Sequence, residues 1–148
     1  MDILYNYLYL EIKYINNIME NILGSWKLKK NNNFSNFLVF TQTSWYQRFI
    51  AENSPIDVSI VKKNNGYVKK IESTFYNTEE FIIPDNTFRD YNNIKKKYTF
   101  ENNIIGTDIK GTIVNWNEKI YLQGESLIIE YSWLENDELK FASRDFYK

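Results

Sequence analysis

From Gly24 onward, apolar and polar residues alternate along the chain in short runs. In the first run, Trp26 and Leu28 fall on one face of an extended strand, while Lys27 and Lys29 fall on the other. Clusters of Asn, Gly and Asp separate successive runs. Alternation of this kind, bounded by turn residues, predicts the strands of an antiparallel sheet.

Residues 34–52 depart from this alternating pattern. Apolar residues recur there at spacings of three and four, which predicts two short helices in tandem. Asn33 and Thr43 are the predicted N-caps, because their side chains can accept a hydrogen bond from the first helical turn. Pro55 is predicted to end the second helix, since proline has no amide hydrogen to donate.

After this helical segment the alternating runs resume and continue to the C terminus. They predict strands at residues 56–62, 66–74, 79–83, 87–91 and 95–101, followed by further strands toward residue 148. One strand, a helix pair and about nine further strands predict an all-β fold. A closed barrel is the expected arrangement, because closure removes the exposed edges that so many short strands would otherwise have. The predicted fold is a closed up-and-down antiparallel β-barrel of about ten strands, with a helix-turn-helix segment after the first strand.

Residues 1–18 differ in character from the rest of the chain. Their Tyr, Leu and Ile residues are interrupted by Asp2, Glu11 and Lys13, and they contain no unbroken apolar stretch. The segment therefore matches neither a signal peptide nor a membrane span. We predict a loosely ordered leader at residues 1–18 and one β-barrel domain at residues 19–148, with an amphipathic docking segment as the alternative for the leader.

Composition narrows the possible functions. The chain contains no Cys and no His, which excludes disulfides, thiolate or imidazole metal sites and the usual general base of a Ser triad. We therefore predict a protein that is not an enzyme and uses no cofactor or metal. Lys and Arg total 18 against 19 for Asp and Glu, so we predict no nucleic-acid partner. Lys27, Lys29 and Lys30 are predicted to form a solvated face, with transient membrane contact as the alternative.

Three segments of the sequence resemble segments of one protein family. Residues 23–28 read Leu-Gly-Ser-Trp-Lys-Leu, and residues 33–55 contain Asn-Phe, Ser-Trp and a Pro just before a strand. Residues 72–79 read Glu-Ser-Thr-Phe-Tyr-Asn-Thr-Glu. These segments resemble, in order, the opening strand, the helical lid and the Ser-Thr-Phe-Lys-Asn-Thr-Glu motif of the cellular fatty-acid-binding proteins. The resemblance extends over residues 19–148.

The C-terminal strand resembles the closing Arg-x-Tyr strand of that family, in which the Arg and the Tyr bind the ligand carboxylate inside the barrel. Arg144 matches the Arg, whereas Phe146 stands in place of the Tyr and lacks its hydroxyl donor. The family usually has a second Arg, or a Gln in retinoid carriers, on an upstream strand. Residues 119–124 contain no Arg, so Tyr121 and Gln123 are the candidates for this role.

The resemblance implies a cytoplasmic, monomeric carrier that binds a long-chain fatty acid or another lipophilic small molecule inside the barrel. Trp26 is expected to plug the closed end of the barrel rather than to contact ligand. The ligand-binding residues implied at the headgroup, the cavity and the portal are Arg144, Phe146, Gln123, Tyr121, Phe34, Phe37 and Phe75.

Two other functions are compatible with a barrel of this kind. One is a phycobilin lyase, which shares a lipocalin-like barrel and of which Phe141-Ala142-Ser143 is faintly reminiscent. The other is an interaction module with no ligand, whose interior is filled by side chains. The 72–79 motif and the paired helices favour the carrier over the lyase.

Overall fold

The computed structural model describes Asn6 and residues 20–148. The predicted leader at residues 1–18 lies outside the described residues apart from Asn6, and it stays a prediction. Within the described part of the chain, no helix has both the length and the apolar character needed to cross a membrane.

Between residues 24 and 147 the structure has ten strands and two helices, as the sequence predicts. The strands and helices are β1 (Gly24–Asn32), α1 (Phe34–Phe40), α2 (Trp45–Asn53), β2 (Ile56–Lys63), β3 (Gly66–Ser73), β4 (Asn77–Ile82), β5 (Arg89–Tyr91), β6 (Ile94–Glu101), β7 (Ile104–Lys110), β8 (Asn115–Gln123), β9 (Ser126–Glu135) and β10 (Glu138–Tyr147).

All ten strands belong to one antiparallel sheet, in the order β4-β3-β2-β1-β10-β9-β8-β7-β6-β5. The last strand, β10, returns to pair with the first, with Leu28 opposite Phe146. The predicted closure by hydrogen bonding is not found, because the sheet order ends at β4 and β5 and no ladder joins these two edges. Side chains of β4 and β6 meet where such a ladder would form, and the Tyr91 hydroxyl of β5 donates to the Phe81 carbonyl of β4 over 3.2 Å.

Asparagines form several of the hairpin turns. At Asn92-Asn93, φ is 49° and 70°, and at Asn102-Asn103 it is 53° and 66°. Two successive residues with positive φ make the turn that matches the twist of the flanking strands, and Asn tolerates this conformation better than most residues. The abundance of Asn between runs therefore has a structural basis.

The two helices begin differently from each other. Asn33 precedes α1 with a φ of 56°, and its side-chain amide donates to the Phe141 carbonyl over 2.8 Å instead of capping the helix. Ser44 caps α2 by accepting a hydrogen bond from the amide of Gln47 over 3.3 Å. The prediction that Thr43 caps α2 is wrong by one residue.

The inward side chains of the curled sheet form the core, and α1 packs over one end of it. Phe37 of α1 stacks on Tyr131 with ring centroids 4.5 Å apart and lies 5.5 Å from Trp133. Trp26 is buried, as expected, and its indole nitrogen donates to the Ile22 carbonyl over 2.9 Å. The helix pair thus sits over the interior, where it can control access from one end.

Candidate functional site

Five charged side chains face the interior of the curled sheet within residues 20–148. Each lies in phase with a buried apolar or aromatic residue of its own strand, so strand alternation carries it inward. Three are cations and two are carboxylates, which leaves one positive charge in excess. We call this set the interior charge cluster; its members are Lys69, Glu80, Lys96, Glu118 and Arg144.

Glu80 is the centre of the ion pairs in this cluster. Its carboxylate lies 3.3 Å from the Lys69 ammonium and 3.3 Å from the Lys96 ammonium, and it accepts a hydrogen bond from the Tyr98 hydroxyl. Burial alone would raise the pKa of the Glu80 carboxyl, but attraction to both lysines and this hydrogen bond lower it to about 2. Lys69 is opposite Glu80 in the β3–β4 ladder, whereas Lys96 and Tyr98 are on β6, so only their contacts with Glu80 cross the gap at the edge of the sheet.

Lys69 is the most enclosed of the lysines in the cluster, with 5% of its surface exposed. Burial by itself would lower the pKa of its ammonium, but the Glu80 carboxylate raises that pKa, and Glu118 adds to the effect. Lys69 therefore keeps its positive charge at neutral pH.

Arg144 lies on β10 and is 4% exposed. Its Nε donates to Oδ1 of Asn31 over 2.9 Å, and its Nη2 donates to the backbone oxygen of Ala51 in α2 over 3.0 Å. The guanidinium carbon lies 4.1 Å from the centroid of the Phe34 ring, in a cation-π contact. No carboxylate of residues 20–148 forms an ion pair with it. The acceptors of this buried cation are neutral, so its charge is not neutralised locally.

Tyr131 of β9 lies beside this cation. Its neighbours across the sheet are Glu118 on β8 and Ala142 on β10. Burial raises the pKa of the Tyr131 phenol and Glu118 raises it further, while Arg144 lowers it without reversing the shift. The hydroxyl is therefore protonated at neutral pH and can donate a hydrogen bond.

Tyr121 and Gln123 do not join the cluster. Ile120 of the same strand is buried in the core. Because side chains alternate along a strand, Tyr121 and Gln123 both face outward. The Tyr121 hydroxyl donates to Glu130 over 3.2 Å, on the outer face of the sheet. The expectation that Tyr121 or Gln123 faces the interior is therefore wrong, because a shift of one residue along a strand moves a side chain to the opposite face.

The four predicted phenylalanines lie at different depths. Phe34 and Phe37 of α1 are buried, at 6% and 5% exposure, and pack on the ring of Tyr131. Phe146 faces inward in the core at 1% exposure. Phe75 is 62% exposed, in the turn between β3 and β4. The structure thus brings Phe34 to Arg144 and leaves Phe75 at the surface.

A cavity of about 440 Å³ lies between α2 and the β3–β4 turn, and we call it the portal. Its lining includes Tyr46 and Ala51 from α2 and Phe75 and Tyr76 from the turn. Because the Ala51 carbonyl accepts a hydrogen bond from Arg144, the portal adjoins the buried guanidinium. Clefts of about 560, 650 and 620 Å³ lie elsewhere, and their linings, like that of the portal, include no member of the interior charge cluster.

Ser73 shapes the turn that presents Phe75 at the portal. Its hydroxyl oxygen accepts hydrogen bonds from the amides of Phe75 and Tyr76, over 3.2 Å and 3.1 Å. Its own amide donates to the Tyr76 carbonyl over 2.9 Å. A serine at the start of a turn closes the backbone in this way. The 72–79 motif therefore holds one wall of the portal in place.

Sequence reasoning missed Lys69, Glu80, Lys96, Glu118 and Tyr131. The signal that could have found them is strand phase: each is two residues from a buried apolar or aromatic residue on its own strand. A polar residue in that phase faces the interior and needs a partner there.

Ten antiparallel strands in one curled sheet, with two helices between the first and second strands, are the fold of the fatty-acid-binding proteins. The motif resemblance is confirmed at the level of the fold. No protein-family model matches the sequence, and no curated protein matches it either.

Solved structures give the comparison in detail. Lipid binding protein 8 of Caenorhabditis elegans matches with a TM-score of 0.77 and 19% identity, over 88% of this chain and 96% of that chain. The fatty acid binding protein of Schistosoma mansoni, solved in complex with arachidonic acid, matches with a TM-score of 0.76 and 18% identity, over 88% and 97%. Fatty-acid-binding protein 1 of Echinococcus granulosus matches with a TM-score of 0.73 and 16% identity, over 87% and 98%.

Proposed function

We propose that this chain is a non-catalytic carrier that binds a long-chain fatty acid, or a similar lipophilic acid, inside the curled sheet and transports it in the cytoplasm as a monomer. The ligand enters at the portal between α2 and the β3–β4 turn. Its carboxylate is bound by Arg144, and its apolar chain packs among the inward aromatic and aliphatic side chains.

The observation that carries this proposal is the buried guanidinium of Arg144 with neutral acceptors only. A cation in a low-dielectric interior is costly unless an anion answers it. A ligand carboxylate can neutralise the Arg144 guanidinium by forming a charge-assisted hydrogen-bonded pair, for which the planar guanidinium is well suited. The structural relative from Schistosoma mansoni, in complex with arachidonic acid, supports the same class of ligand.

The portal supports the apolar part of the proposal. Its volume of about 440 Å³ falls within the range of about 300–1,000 Å³ that is usual for small-molecule pockets. Burial of an alkyl chain contributes about 25 cal/mol per Å² before the costs of association are deducted, so the chain supplies most of the affinity and the headgroup sets its orientation.

The lyase alternative gains nothing from the structure around Phe141-Ala142-Ser143. Phe141 is 52% exposed, and Ala142 packs inward opposite Tyr131. The tripeptide is an ordinary alternating part of β10, so we do not propose bilin attachment.

The carrier proposal is tested by titrating the full chain with oleic acid in a calorimeter, alongside the variant Arg144→Leu. We expect the unmodified chain to bind oleic acid and the variant to bind it at least about tenfold more weakly, since a hydrogen bond to a charged group is lost. The matched control is Arg89→Leu, because the Arg89 side chain is 33% exposed and forms its ion pair with Asp85.

Far-UV circular dichroism of both variants checks that the fold is retained. Absence of oleic acid binding by the unmodified chain would contradict the carrier proposal. Equal affinities of the unmodified chain and Arg144→Leu would remove Arg144 from the headgroup site. Mass spectrometry of lipid extracted from gently purified protein identifies the ligand class independently.

A further inference from the structure

The hydroxyl of Tyr131 belongs to a buried side chain. Tyr131 is 8% exposed, and its hydroxyl forms no hydrogen bond with the part of the chain that the structure describes. In that same part, every fully enclosed side-chain nitrogen or oxygen has a partner. The Tyr131 hydroxyl is therefore not fully enclosed by protein atoms. A protonated donor in such a position is costly unless an acceptor lies beside it.

Charged groups surround this hydroxyl on several sides. Glu118 and Glu80 raise the pKa of the phenol, and Arg144 and Lys69 lower it, so all four lie within electrostatic reach. Strand register explains the arrangement. Tyr131 is opposite Ala142, which is two residues from Arg144 on β10, and this spacing puts both side chains on one face.

The Phe34 ring links the two groups directly. It lies 4.1 Å from the Arg144 guanidinium carbon and 5.3 Å from the centroid of the Tyr131 ring. Both side chains therefore contact the same aromatic ring. The residue across from Tyr131 is Ala142, whose side chain is small.

The charge balance of the interior fixes the kind of acceptor. The interior charge cluster contains three cations, Lys69, Lys96 and Arg144, and two carboxylates, Glu80 and Glu118. Glu80 is already shared by both lysines. One further negative charge makes the interior neutral, and a second would again leave an uncompensated charge.

We propose that the Tyr131 hydroxyl donates a hydrogen bond to the single carboxylate of the ligand while Arg144 pairs with it, so that β9 supplies the hydroxyl that Phe146 on β10 lacks. This inference rests on the proposed carrier function and adds a specificity residue to it. It predicts that the protein binds monocarboxylic acids more tightly than neutral alcohols of the same chain length. Only the acid can both neutralise the charge of Arg144 and accept a hydrogen bond from Tyr131 as an anion.

The test compares oleic acid with oleyl alcohol by calorimetric titration of the unmodified chain, Tyr131→Phe and Tyr147→Phe. Tyr147 is the matched control, since it is on the outer face of β10 and 48% exposed. We expect Tyr131→Phe to bind oleic acid about tenfold more weakly, with a change of at most about threefold for oleyl alcohol. Tyr147→Phe should change neither affinity.

A measurement on the unmodified chain keeps the proposal testable if Tyr131→Phe folds poorly. The protons on C2 of bound oleic acid should show nuclear Overhauser contacts to the ring protons of Tyr131. Contacts to Phe75 or Tyr46 alone would place the headgroup at the portal and overturn the assignment. So would equal losses of acid and alcohol affinity in Tyr131→Phe. Failure of the unmodified chain to bind oleic acid contradicts the carrier function itself, whereas normal binding with an unchanged Tyr131→Phe contradicts only the role of Tyr131.

Discussion

The Arg144 guanidinium donates a hydrogen bond from Nη2 to the backbone oxygen of Ala51, 3.0 Å away. Ala51 belongs to α2 and lines the portal, while Arg144 belongs to β10 and lies inside the sheet. The wall of the entrance is thus attached to the cation that we propose for the headgroup. A ligand that accepts the hydrogen bond from Nη2 of Arg144 therefore removes one contact that stabilises α2.

This attachment predicts that Arg144→Leu loosens the C-terminal half of α2. Without its donor, the Ala51 carbonyl loses one hydrogen bond of about 1 kcal/mol, which corresponds to about fivefold faster amide exchange. Hydrogen exchange followed by mass spectrometry should show the increase at residues 49–54 and none in β7. The matched Arg89→Leu variant should exchange like the unmodified chain. Unchanged exchange in α2 would mean that packing alone holds the helix.

The ion pairs of Glu80 make a second, separate prediction about stability. Glu80→Gln leaves Lys69 and Lys96 without their shared counter-charge, and breaking a buried ion pair costs about 3–5 kcal/mol. The free energy of unfolding in urea should fall by that amount. Glu79→Gln is the control, because Glu79 is the preceding residue of β4 and is exposed; its effect should stay within about 0.5 kcal/mol. Equal effects of the two variants would show that the Glu80 contacts contribute no stability.

The low pKa of Glu80 predicts how this stability depends on pH. Attraction to Lys69 and Lys96 outweighs the opposing effect of burial and holds the folded pKa at about 2, against an ordinary value of 4.5. The unfolded chain therefore binds more protons between these values, so the contribution is complete above pH about 4.5 and is lost as pH falls toward 2. The difference in unfolding free energy between the unmodified chain and Glu80→Gln should shrink over that window. A difference that stays constant down to pH about 2.5 would contradict the assigned pKa.

Strand order and the helix pair could be predicted because they depend on local patterns. Ser73 closes its turn with hydrogen bonds to Phe75 and Tyr76, so a contiguous motif was sufficient to identify it. Closure of the sheet could not be predicted in this way. The sheet order ends at β4 and β5, and Glu80 on β4 contacts Lys96 on β6 across that gap. A contact between strands that are not paired leaves no local pattern in the sequence.

The interior charge cluster shows why the site was only partly predictable. Lys69 is followed by Lys70 and Glu80 is preceded by Glu79, so each pair offers two chemically identical candidates. A shift of one residue in strand phase exchanges the inward member for the outward one. The inward direction of Arg144 could be predicted because the family resemblance gave its position in the strand. No motif covers β8, so the face on which Tyr121 lies could not be predicted.

The orientation of β8 can itself be tested, because the structure places Tyr121 on the outer face whereas the sequence predicted that it faces the ligand. Tyr121→Phe removes a hydroxyl that donates to Glu130 on the outer face of the sheet, so stability should fall by no more than about 1–2 kcal/mol. Affinity for oleic acid should stay within about twofold, since the ligand lies on the other side of the strand. Calorimetric titration at one pH, beside Tyr131→Phe, makes the comparison direct: two tyrosines on neighbouring strands lose the same atom, and only the inward one should weaken binding. A loss in Tyr121→Phe as large as that in Tyr131→Phe would show that β8 carries Tyr121 into the interior and that the register described for β8 and β9 is wrong.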